Sequence, residues 1–158
     1  MDLEPLAAEM GQLLVELSRV TRLAQRSESG CCGLTLAQCQ LLLAVAQEPA
    51  GPNAPGCSQS EVAALLGLDL STISRVADGL VRLGLLAKEV DPEDRRRYLL
   101  SLTPAGRERV QSISTGLSAY ARRALEKLPA GDRQRVIESL RLLIGALQQA
   151  QQGGECCE

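Results

Sequence analysis

The sequence contains no histidine, phenylalanine or tryptophan, and only two tyrosines among 158 residues. Without histidine there is no imidazole to serve as a general base near neutral pH or to join a mixed nitrogen and sulfur metal site. The scarcity of aromatic rings makes the core aliphatic and gives a flat aromatic ligand little to stack against. A charge excess is missing too: 17 Lys and Arg stand against 19 Asp and Glu, a formal net charge of -2 with a pI near 5.3. That balance excludes a generally basic coat, so affinity for nucleic acid would have to come from local arginine clusters. No apolar run reaches the roughly 18 residues of a membrane span, and the opening Met1-Asp2-Leu3-Glu4-Pro5 lacks the basic start of a signal peptide. A cytoplasmic chain without a membrane partner is expected. Neither a Gly-x-x-x-x-Gly-Lys phosphate loop nor a Cys-x-x-Cys redox pair occurs. With no histidine to serve as general base either, a thiol-dependent detoxification enzyme is only a distant alternative, and no enzymatic activity or required cofactor is expected.

What is present suits one domain over 1–158, with 45% hydrophobic residues to fill a core. Leu6, Met10, Leu13, Leu17, Val20 and Ala24 recur at intervals of four and three, which puts an apolar stripe along a long first helix. That helix is expected to end before Ser27-Glu28-Ser29-Gly30. Thr35 can cap a second helix reaching Gln47, with Leu36, Cys39, Leu43 and Ala46 on its buried side. The run from Pro49 to Gly56 reads as a loop. Farther on, Thr103-Pro104 supplies a cap followed by proline at the first helical position, where its missing amide hydrogen costs least. The helix it opens carries Val110, Ile113, Leu117, Tyr120 and Ala124 on one stripe and runs toward Leu125. Pro129-Ala130-Gly131 then precedes a last helix striped by Val136, Leu140, Leu143, Leu147 and Ala150. The first and last helices hold more apolar surface than a compact domain needs. They are expected to pair across a homodimer, so that 1–30 and 104–152 are dimerisation helices, a monomeric bundle being the alternative.

Residues 35–103 carry the most specific signals. Ser58-Gln59-Ser60-Glu61 is a capping box, in which the serine accepts from a free helix amide and the glutamate reaches back to the serine amide. A short helix should start there and end near Gly67. Asp69 can cap another from Leu70 to Leu83, stopped by Gly84. This is the spacing of a helix-turn-helix. On the second helix Ile73, Val76, Ala77, Leu80 and Leu83 form the buried side, leaving Ser71, Thr72, Ser74, Arg75, Asp78 and Arg82 outward. Small polar residues at its start permit close approach to base edges and phosphates in a major groove, although an ordinary solvated face would look similar. Leu85 to Val90 and Tyr98 to Leu102 are short strand candidates around Asp91 to Arg97, with Tyr98, Leu100 and Leu102 on one face. Pro92 favours a tight tip, and Asp94 can brace one neighbouring arginine while others project toward a minor groove, whose negative potential attracts guanidinium. Arg95, Arg96 and Arg97 are the candidates. The fold class is therefore mainly α with a small β-hairpin wing, a winged helix-turn-helix whose partner is double-stranded DNA. A structural bundle that only bound another protein would leave the arginine-rich wing without a purpose.

Asp91-Pro92-Glu93-Asp94-Arg95-Arg96 followed by Leu100-Ser101-Leu102-Thr103-Pro104-Ala105-Gly106 resembles the wing and exit of the multiple-antibiotic-resistance regulator (MarR) family. Ser71-Thr72-Ile73-Ser74-Arg75 and Leu80 through Leu86 look like that family's recognition helix, and Leu34 to Gln38 like the opening of its second helix. The resemblance covers nearly the whole chain. It implies a homodimeric repressor with intertwined terminal helices, each subunit offering a winged helix to half of a palindromic operator, and an effector that changes the spacing of the two reading heads. It also implies that Arg95 or Arg96 enters the minor groove and that Ser71, Thr72, Ser74 and Arg75 meet the major groove.

Six cysteines remain to be explained. In a reducing compartment a structural disulfide framework is not expected, which favours metal, metalloid or redox chemistry. Cys31 and Cys32 sit between the first helix and the one supporting the reading head, and Cys156 and Cys157 follow a Gln- and Gly-rich stretch read as a flexible tail over 153–158. Adjacent thiolates seldom close a disulfide with each other but can chelate one soft ion. The preferred effector is thus arsenite, antimonite or another thiophilic metal bound by Cys31, Cys32 and a third cysteine, Cys39, Cys156 or Cys157. For Cys39 a small buried hydrophobe is the competing reading, and Cys57 reads as an incidental loop thiol. Hydroperoxide sensing through a reactive cysteine, known in members of the family, is the rival mechanism.

Overall fold

The computed structural model describes residues 3–47 and 56–153, with the backbone alone for 22–32 and 151–153. The chain divides into two compact units, parting between Thr115 and Gly116 inside one helix.

In the first unit, α1 spans Leu3–Cys32. It does not end before Ser27: helical backbone continues through Gly30, and the chain leaves the helix at Gly33, whose φ of 68° is left-handed. A mid-helix glycine costs only about 1 kcal/mol relative to alanine, whereas a glycine just past the end satisfies the terminal geometry directly. Helix α2, Leu36–Gln47, opens on a reciprocal cap, the Thr35 amide donating to Gln38 Oε1 at 2.8 Å and the Gln38 amide to Thr35 Oγ1 at 3.3 Å. Its fully buried residues are Leu41, Leu42, Ala44 and Val45, while the expected Leu36, Cys39, Leu43 and Ala46 are only half-buried. An almost uniformly apolar helix has no sharp stripe, so its periodicity cannot say which side faces inward.

Strand β1, Cys57–Ser58, leads into α3, Gln59–Leu66, through the capping box read from the sequence: the Ser58 amide donates to Glu61 Oε2 at 2.7 Å and the Glu61 amide to Ser58 Oγ at 3.2 Å. Hydrogen bonding from Ser58, its backbone amide first and its side chain second, holds the Glu61 carboxyl below the usual carboxylate range. Gly67, at φ 63°, closes α3. Helix α4, Leu70–Arg82, buries Ile73, Ala77 and Leu80. Leu83, expected on the same side, is 56% exposed because it caps the helix end, and Leu85 and Leu86 enter the core in its place.

Strands β2, Leu86–Val90, and β3, Tyr98–Leu102, form the hairpin in the register Leu86 with Leu102 and Val90 with Tyr98. β1 joins the other edge of β3, pairing Cys57 with Leu100, to give an antiparallel sheet in the order β1-β3-β2. Leu100 is thereby covered on both flanks and sits in one core with Leu41, Leu42, Ile73, Ala77 and Leu80. Helix α5, Pro104–Glu126, begins under the hairpin. The Thr103 hydroxyl donates to the Gly84 carbonyl at 2.7 Å and accepts from the Gly106 amide at 3.0 Å. Gly106 lies so close to the Leu85 carbonyl that a β-carbon would collide with backbone.

The second unit holds the end of α5, a 3-10 turn at Ala130–Asp132 and α6, Arg133–Gly153. The break at Pro129-Ala130-Gly131 is the one the sequence signals. Among the described residues no helix is long and apolar enough to cross a membrane.

Candidate nucleic-acid interface

The start of α4 is organised by Asp69. Its carboxylate accepts from the Thr72 amide at 2.8 Å, from Thr72 Oγ1 at 2.7 Å and from the Ser71 hydroxyl. The Ser71 and Thr72 side chains, with the Thr72 amide, hold the Asp69 carboxyl far below its ordinary range, so it is charged at any pH at which the protein works. Both hydroxyl protons therefore point back at the cap. While the cap is intact, Ser71 and Thr72 offer lone pairs outward, suited to amino groups on base edges and not to phosphate oxygens, which only accept. Thr72 is half-buried and its Oγ1 already takes a contact from Arg75 Nη2 at 3.3 Å. Ser74 is half-buried as well, whereas Ser71, Arg75 and Arg82 are exposed.

The wing between β2 and β3 has a defined tip. Asp91 Oδ1 accepts from the Glu93 amide at 2.9 Å and Asp94 Oδ1 from the Arg96 amide at 3.0 Å, consecutive side-chain turns that set the loop without a glycine. The Arg97 and Asp91 backbones close it, Asp91 N donating to Arg97 O at 3.0 Å. Asp94 thus braces the backbone, because the amide two residues on lies nearer to its carboxylate than a long side chain's head does. The carboxylate set against an arginine head is that of Asp91, only 8% exposed, with Oδ2 3.8 Å from Arg97 Nε. Arg97 also reaches Glu61 of α3 at 3.9 Å. It ties the wing to α3, while Arg95 and Arg96 stand exposed at the tip.

One pair escaped the sequence reading altogether. Lys88 of β2 meets Asp78 of α4 at 2.8 Å, and its ammonium lies 4.7 Å from the centre of the Tyr98 ring. Ten residues separate the partners, so only the packing of α4 against β2 brings them together.

A model of the MarR family matches residues 33–97, the stretch from the linker before α2 to the end of the wing. The crystal structure of MarR superimposes with a TM-score of 0.78 and 28% identity over 91% of this chain and 94% of that one. The PcaV transcriptional regulator from Streptomyces coelicolor, solved with its natural ligand, gives a TM-score of 0.67 and 30% identity over 93% of this chain and 97% of that one. The chain belongs to the MarR family. A curated relative, a putative transcriptional regulatory protein for the hcr operon of Thauera aromatica, is 33% identical over 91 residues. That match takes in 58% of this chain and about half of the relative's length, 55%. This protein is accordingly a MarR-family transcriptional regulator of the mainly helical, winged-helix fold.

The cysteines are distributed less tidily. Cys39 is half-buried against the core, its amide bonded to the Thr35 carbonyl at 3.0 Å. Cys57 is no loop thiol: it is 2% exposed in β1, with its sulfur 3.7 Å from the Leu100 carbonyl. Cys31 and Cys32 fall on the last turn of α1, where the backbone alone is described, and Cys156 and Cys157 lie outside the described residues. Among the described residues no group of three His, Cys, Asp or Glu side chains is placed to hold a metal ion.

Proposed function

We propose that this MarR-family regulator is a homodimeric repressor that grips a palindromic operator with α4 in the major groove and the wing tip in the minor groove. The observation that carries this reading is the division of labour among the wing arginines: Arg97 is held by Asp91 and Glu61, while Arg95 and Arg96 project from a tip shaped by Asp91 and Asp94. Arg75 and Arg82 supply positive charge along α4, and Ser71, Thr72 and Ser74 line its first turns. The dimer rests on the apolar stripe of α1, since Leu6, Met10, Leu13, Leu17 and Val20 all lie open, and on Leu140 and its neighbours in α6. The test is enrichment of a duplex from a random double-stranded pool, followed by titration with variants. Arg75→Ala and Arg95→Ala should each weaken binding about tenfold or more; unchanged affinity for both would remove the assigned surface.

We further propose that the effector is thiophilic, arsenite or antimonite foremost, bound through Cys31 and Cys32 with Cys156 or Cys157 as third ligand. Cys39 is the poorer third ligand, being packed against the core. Bidentate use of Cys31 and Cys32 would act on the last turn of α1, next to the Thr35 cap of α2. That supplies the mechanical link to the reading head. Arsenite should release operator DNA from the reduced protein but not from a Cys31→Ser/Cys32→Ser variant. Release by hydroperoxide alone would replace this with redox sensing.

A further inference from the structure

We infer that Lys88 is a positioning residue of the DNA-reading surface: it neutralises Asp78 and so leaves the arginines on either side of that carboxylate available to phosphate. The inference rests on the operator-binding reading above.

Arg75, Asp78 and Arg82 follow one another on α4 at intervals of three and four, which places them on one stripe of the helix. A carboxylate in the middle of a surface meant for a polyanion is unfavourable on two counts. It repels phosphate, and at those intervals it can capture a neighbouring guanidinium. In the structure its partner is neither arginine. The ammonium of Lys88, brought from β2, donates to Asp78 Oδ1 at 2.8 Å. Arg75 instead leans on Thr72 Oγ1 at 3.3 Å, and no ion pair of Arg82 occurs among the described residues.

Lys88 is built for this inward task. Its side chain is only 18% exposed, its Cα stands opposite that of the buried Leu100, and the Tyr98 ring flanks its charge at 4.7 Å. A lysine reaching for a phosphate would extend its flexible stem into water. Here the stem is covered, and the charge is matched to Asp78, itself 48% exposed.

The experiment is a double-mutant cycle on the selected duplex with wild type, Lys88→Gln, Asp78→Asn and the double variant, each also followed by thermal melting. Lys88→Gln, which leaves Asp78 uncompensated, should weaken binding by about tenfold or more. Asp78→Asn should bind within about threefold of wild type, and adding it to Lys88→Gln should restore affinity to that level, because the charge that needed masking is gone. The salt dependence of the double variant should match that of Asp78→Asn. A double variant as weak as Lys88→Gln, with a salt slope lower by about 1, would mean that Lys88 itself contacts phosphate and would overturn the inference. So would Lys88→Gln binding like wild type. Failure of the wild type to enrich any duplex would overturn the operator-binding reading and this inference with it, whereas failed rescue overturns this one alone.

Discussion

At the scale of single residues, the helix-turn-helix depends on a few short side chains tied into helix caps. Asp69 is the clearest. Its folded carboxyl lies well below the ordinary value of 3.8, so its contribution to stability is complete above that value and is lost only as pH falls beneath it. Asp69→Ala should therefore lower the melting temperature at pH 7, with a gap from wild type that narrows in melts below about pH 4. Gly106 makes a steric demand instead. With the Leu85 backbone in the way, Gly106→Ala should destabilise the fold by roughly 2 kcal/mol, read from denaturant unfolding. The sequence announces Asp69 through its place before an apolar periodic stretch, and Thr103, Ser58 and Glu61 likewise, because caps are local chemistry. It does not announce Gly106 as a contact or Lys88 as the partner of Asp78, since both arise from the hairpin folding back on distant residues. Arg97 is the same case: three consecutive arginines look alike until the backbone turns one of them toward Asp91.

At the scale of elements, the wing is stiffened by polar contacts on the side of α3 and by the Lys88 bridge on the side of α4. Arg97→Ala should cost less than about 1 kcal/mol in stability, because its ion pairs are long and half-exposed. Amide exchange across 91–97 should nevertheless quicken, and affinity for the selected duplex should fall. Helix α4 and the hairpin were legible in outline because sharply amphipathic segments and alternating strands have distinct periods. Helix α2 was not legible in its facing, being apolar nearly all round. The end of α1 is not legible at Ser27 to Gly30 because Ser and Gly are only weak stop signals inside a helix; the decisive residue is Gly33. β1 is a strand of two residues whose only signature is its partner, Leu100.

At the scale of the whole molecule, operator binding as proposed requires two copies. The stripe on α1 exposes Leu13 at 58% and Leu17 at 47%, too much apolar surface on one helix to leave in water. Leu13→Glu combined with Leu17→Glu should convert a dimer to a monomer in light scattering. The same change should reduce operator affinity by about 10- to 100-fold, as the second half-site loses its linked reading head.

The most direct measurement is the affinity of the wild-type protein for its selected palindromic duplex, against a scrambled duplex of the same length, across a series of salt concentrations. The palindrome should bind at least about 1,000-fold more tightly than the scrambled sequence. Affinity should also decline steeply with salt, and less steeply in Arg95→Ala, by about one counterion for each phosphate that the shortened side chain no longer reaches. Equal binding of the two duplexes, with a salt dependence indifferent to Arg75 and Arg95, would contradict operator recognition by α4 and the wing.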